Sequence, residues 1–150
     1  MTAAQSHALK TAFVAVFVFL VAATTSAFDL ITKEEASLPS GTKTELRGPF
    51  PGPVVEVVLP PSDVGQRSPI RFLVRFKTFA GSPVDKESVR LIYIKNPLIE
   101  LTPRVRPFIT STGIELVDAN VPPGTHTIRV QLKDSAGRTS SKYVTFQVEP

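Results

Sequence analysis

Ile70, Phe72, Val74 and Phe76 alternate with Arg71, Leu73, Arg75 and Lys77. Side chains of an extended chain point to opposite faces in turn, so this octet makes sense as a β-strand with one buried and one wet side. The same period returns near the end of the chain. His126, Ile128, Val130 and Leu132 are interleaved with Thr127, Arg129, Gln131 and Lys133, and Val144, Phe146 and Val148 follow at the same spacing. No comparable run repeats at the helical period, so the expected fold class is all-β.

The remaining strands are punctuated by turn chemistry. Val54 to Leu59 is a strand closed by Pro60 and Pro61, and Ala80-Gly-Ser-Pro83 is a turn. Val89 to Lys95 is apolar on both faces, which predicts a covered central strand. Proline cannot donate to a ladder, so Pro97, Pro103 and Pro107 make 96–107 an edge or a crossing connection. Phe108 to Leu116 reads as a hairpin, with Gly113 supplying the positive φ of its turn. Val121-Pro-Pro-Gly124 is a further turn, and Asp134-Ser-Ala-Gly137 is a hairpin loop with Gly137 left-handed. About seven short strands with such spacing predict a Greek-key two-sheet sandwich, with an open barrel as the structural alternative.

The chain divides into three parts. Residues 1–27 read as a signal peptide: His7 and Lys10 precede an uncharged apolar run from Thr11 to Ala23, and Thr25 and Ala27 fit the −3 and −1 positions for cleavage before Phe28. A spanning helix needs about 20 apolar residues, more than this run supplies, so membrane association is expected only through an uncleaved leader. The protein is accordingly expected to be exported, to the periplasm or beyond. Residues 28–53 read as an extended tether. Thr32 and Glu35 have capping-box spacing for one short helical turn, and Arg47-Gly-Pro-Phe-Pro-Gly-Pro53 favours polyproline backbone. Residues 54–150 form the sandwich domain.

Composition narrows the chemistry. The 150 residues include no Cys and one Met, so thiol catalysis, Cys-ligated zinc and disulfide stapling are excluded. Removal of the leader takes Lys10 and leaves 16 basic and 13 acidic residues, too small an excess to suggest a nucleic-acid partner. Asp63, Asp85, Asp118 and Asp134 stand singly at turns, with no Asp-x-Asp-x-Asp run for calcium. No nucleophile elbow or glycine-rich phosphate loop occurs. No enzyme activity, metal or cofactor is expected.

The stretch Val121-Pro-Pro-Gly-Thr-His-Thr-Ile-Arg-Val-Gln-Leu-Lys-Asp-Ser-Ala-Gly-Arg138, followed by Val144-Thr-Phe-Gln-Val148, resembles the last hairpin of bacterial Ig-like domains. Gly81, Val84, Asp85 and Val89 resemble the middle of such modules. The resemblance covers about 54–150 and implies an Ig-like sandwich; it carries no catalytic residue, because the matching positions are turn-formers and core aliphatics. It places His126 where these folds often have a corner tyrosine, implying a structural ring bonded to nearby backbone. Gly113, Gly124 and Gly137 are structural in the same sense. Arg106-Pro-Phe108 resembles the arginine-proline-aromatic loop of Ig-like cysteine-protease inhibitors, although the glycine-rich motif of that family is absent.

Recognition is therefore the expected activity. Its candidate residues are Arg104, Arg106 and Phe108 in the irregular 96–108 loop, and the basic row Arg71, Arg75 and Lys77. Arg129 and Lys133 suggest a second row. The expected partner is a protein or an envelope component. The competing expectations are a passive subunit of an envelope complex and an inhibitor of a hydrolase.

Overall fold

The computed structural model describes residues 28–45, 48, 50–61 and 63–150. The leader expected over 1–27 lies outside the described residues. No described helix is long and apolar enough to cross a membrane.

Two β-sheets face each other across a shared apolar core. In chain order the elements are β1 (Phe28–Asp29), α1 (Lys33–Ser37), β2 (Val54–Leu59), β3 (Gln66–Arg67), β4 (Ile70–Lys77), β5 (Val84–Tyr93), β6 (Ile99–Glu100), α2 (Thr102–Val105), a 3-10 turn (Arg106–Phe108), β7 (Gly113–Asn120), β8 (Gly124–Asp134) and β9 (Thr139–Glu149). One sheet has the order β1-β7-β4-β2 and the other β3-β9-β8-β5-β6. Neighbours run antiparallel, except β1 on β7 and β3 on β9.

The alternation read from the sequence sets the core. Ile70, Phe72, Val74 and Phe76 of β4 point inward, opposed by Ile128, Val130 and Leu132 of β8 and Val144, Phe146 and Val148 of β9. Phe72 and Phe146 meet edge-on across the sheets, with ring centroids 6.4 Å apart, the arrangement that aromatic quadrupoles prefer. Two separate sheets replace the barrel alternative.

The strand count differs from the sequence expectation. Among the described residues there are nine strands, and β1, β3 and β6 are only two residues long. A pair of residues carries no readable period; each of these pieces forms by adding to the edge of a longer strand. The hairpin expected over Phe108 to Leu116 shrinks to one bridge between Ile109 and Ile114. Gly113 does have the expected positive φ, at 158°, and meets a further need. It opens β7 against β4, where a Cβ would collide with the Val74 carbonyl oxygen. Gly137 does take the left-handed conformation, at φ 78°. The strand expected to be central, β5, has β8 on one side and only β6 on the other.

The expected tether does not hold for 28–41. Leu30 and Ile31 are buried in the core, and β1 lies in register on Ala119 and Asn120 of β7. The capping box of α1 does form: Glu35 N donates to Thr32 Oγ1 at 3.2 Å, and Thr32 N donates to Glu35 Oε2 at 3.0 Å. Beyond α1, Ser40 bridges Lys95, and Gly41 N donates to Ile94 O. Residues 41–45 then cross the outer side of the five-stranded sheet, where Lys43 Nζ donates to Thr145 Oγ1 and Tyr143 OH donates to Thr44 O. A few isolated apolar residues in a polar segment read as a tether, yet Leu30 and Ile31 are buried among the core side chains of the two sheets.

Candidate recognition site

The irregular loop directs its three candidate side chains to three places. Arg104 turns inward. Its guanidinium donates to both carboxylate oxygens of Glu35 and to Leu30 O, the latter at 3.0 Å, so it fastens α1 and β1 to the domain. The hydrogen bond from Arg104 is the largest influence holding the Glu35 carboxyl below its ordinary range. Arg104 is thus committed within the chain and offers no free fork to a partner. Arg106 reaches β5, where its Nη1 lies 3.4 Å from Glu87 Oε2 and from Lys86 O. Phe108 goes the other way. It tilts against Phe28, with ring centroids 5.6 Å apart, and stays 39 % exposed.

The basic row of β4 lies on the outer face of the four-stranded sheet, as its alternation requires. Two of its three charges are matched. Arg71 pairs with Glu115 of β7, and Lys77 Nζ lies 3.1 Å from Glu56 Oε2 of β2. Arg75 is opposite Glu56 on one side and Gly113 on the other. Its guanidinium has no ion-pair or hydrogen-bond partner among the described residues. The second expected row does not form an exposed patch, because Arg129 is only 9 % exposed.

Phe108 and Arg75 are brought together. With Leu73, Thr110, Thr112 and Glu115 they line an open depression of about 300 Å³ on the outer face of β4 and β7. Gly113 opposite Arg75 supplies no side chain to fill it. Thr110 stiffens the wall: its hydroxyl accepts from Gly113 N and Thr112 N and lies 3.1 Å from Thr112 Oγ1. The depression thus joins an aromatic face, a half-buried Leu73 and one cation. Sequence reasoning named Arg75 and Phe108 separately. It missed Thr110, Thr112 and Glu115, for which no periodic signal exists.

His126 is 2 % exposed and saturated. Its Nε2 lies 2.8 Å from Pro122 O, an acceptor only, so Nε2 carries the proton and donates. Nδ1 then accepts from Tyr93 OH at 2.8 Å. Burial lowers the imidazole from its ordinary value and pushes the Tyr93 phenol up to about 12. Neither ring nitrogen is left for a metal or a substrate. Gly124 starts β8 two residues before this ring, and the chain doubles back at Gly137.

Two further clusters lie outside the expected sites. Lys95 Nζ donates to Ala36 O and Leu38 O at 2.7 and 2.9 Å, covering the carbonyl end of α1. Asp134 Oδ1 accepts from Ala136 N and Arg138 N, and Oδ2 accepts from Arg138 Nε at 2.7 Å. Burial alone would raise the Asp134 carboxyl, but these bonds outweigh it and hold the group low. The first cluster anchors the end of α1, and the second braces the turn between β8 and β9. The Asp-x-x-Gly pattern at 134–137 was a legible signal for the second, whereas Lys95 gave none. Among the described residues no group of three or more potential metal ligands occurs. Comparison with protein-family models, curated proteins and solved structures finds no match for this chain.

Proposed function

We propose that the chain is an exported, non-catalytic Ig-like module that recognises a protein or envelope component through the outer face of its four-stranded sheet. The Ig-like reading is supported by connectivity. The sets β2-β4-β7 and β5-β8-β9 occupy opposite sheets, and β3 runs parallel beside the last strand. An Ig-like Greek key divides its strands between two sheets in a similar way, which supports that reading.

The observation that carries the binding role is the depression where exposed Phe108 stands beside Arg75. Aromatic and arginine side chains dominate the energetics of protein interfaces. The competing reading is a passive subunit of an envelope assembly. It draws support from the Arg71–Glu115 and Lys77–Glu56 pairs, which leave most of this face electrically balanced.

Crosslinking capture from the native envelope separates the two. Wild type is run beside Arg75→Gln/Phe108→Ala, with melting temperature as a control. Loss of a partner at unchanged stability supports recognition. Identical capture by both proteins supports the passive role.

A further inference from the structure

We propose that the Phe108–Arg75 depression takes a carboxylate-bearing protein segment: an aspartate or glutamate side chain, or a chain terminus, held by Arg75 with a neighbouring apolar side chain against Phe108. The proposal rests on the binding-module reading and names the chemistry of the partner.

Charge around the depression selects the ligand. Both nearby carboxylates have cations of their own, Glu56 with Lys77 and Glu115 with Arg71. Arg75 is left as a single uncompensated fork, and the bare backbone of Gly113 leaves room beside it. A guanidinium binds a carboxylate through two parallel hydrogen bonds, which fixes orientation as well as charge. One free guanidinium matches the single charge of a carboxylate and leaves a multiply charged phosphate or an extended polyanion largely uncompensated. An anionic membrane surface would require several free cations, since each contributes only about 1 kcal/mol. The remaining lining favours an apolar neighbour. Leu73 forms a half-buried part of the lining and Phe108 a 39 % exposed aromatic wall. The volume of about 300 Å³ suits one or two side chains, not a whole folded surface.

The test is an NMR titration of the purified protein, reading the Arg75 Nε–H and Phe108 ring resonances. The probes are the blocked dipeptides N-acetyl-Asp-Phe-amide, N-acetyl-Asn-Phe-amide and N-acetyl-Asp-Gly-amide, with inorganic phosphate alongside. The Asp-Phe probe is expected to saturate both sets of resonances and to bind about fivefold or more tightly than the Asn-Phe probe, the gain of a charge-assisted pair. Asp-Gly should be weaker in turn, and Arg75→Gln should abolish the difference between Asp and Asn. Equal binding of the Asp and Asn probes by wild type, tighter binding of phosphate, or a preference for Asp over Asn that survives Arg75→Gln would overturn the proposal. No response to any dipeptide also overturns it, while loss of envelope capture in the double variant would still leave the binding-module reading standing. Unchanged capture in that variant removes the binding reading itself.

Discussion

Glu35 and Arg104 are 69 residues apart in sequence, and the guanidinium of one grips both carboxylate oxygens of the other. Glu35 also closes the capping box of α1, so a single carboxylate joins the local order of the N-terminal segment to the irregular connection between the sheets. The side chains are 16 % and 32 % exposed, so water screens the pair only in part. Removing one member leaves the other partly buried without its partner. Arg104→Met is expected to destabilise the fold by about 2 kcal/mol in urea unfolding at neutral pH.

The same pair sets an acid limit. Glu35 has a lowered pKa in the fold, so its stabilisation is complete above the unfolded value of about 4.3 and drains as pH falls from there through the folded value. Asp134 acts in the same direction and the same region. Glu35→Gln should therefore flatten part, not all, of the stability loss between about pH 4.5 and 3. An unchanged slope in that variant would show that the ion pair does not form in solution.

Leu30 is completely buried although it lies in a segment that reads as a tether. Leu30→Ala is expected to cost about 2–5 kcal/mol, the range for a core leucine. Thermal or urea unfolding decides this directly. A loss below about 0.5 kcal/mol, as for an exposed site, would return 28–41 to the status of a tether.

The sequence pattern made the long strands legible because burial on one face imposes period two on every residue. Ile70 to Phe76 and Ile128 to Leu132 are inward as the alternation requires. The capping box at Thr32 was readable for a similar reason, since its two bonds link residues three apart. What could not be read depends on partners distant in sequence. Nothing near Leu30 announces that the sheets leave a space for it, and nothing near Arg104 announces Glu35. The candidate depression was half legible. Arg75 stands out on its strand and Phe108 in its loop, but their meeting depends on how the crossing connection returns to β7.

The proposed export gives a prediction with a single readout. If the leader is removed as its −3 and −1 residues suggest, N-terminal sequencing of the native protein should begin at Phe28. That residue is also the first of β1, opposite Ala119, so the new terminus would lie at the edge of β7. A native protein beginning at Met1 would show that the leader is not removed.

His126 provides a second pH window, separate from that of the carboxylates. Burial lowers its pKa in the fold, so the unfolded chain takes up a proton near its ordinary value of about 6.5 while the native imidazole stays neutral. Stability is therefore complete above that value and falls as pH drops below it, until the native ring is also protonated. Tyr93, pushed up to about 12, stays neutral throughout and keeps donating to Nδ1. His126→Leu removes the titrating group and strands both the Tyr93 hydroxyl and the Pro122 carbonyl, at a cost of about 3 kcal/mol near neutral pH. Urea midpoints followed from pH 8 to 5 should decline below about 6.5 in wild type and lose that component in the variant. A variant that keeps the full decline would mean that the ring is accessible to protons in the native state, and that the Tyr93–His126–Pro122 chain is not what holds this end of β8 in place.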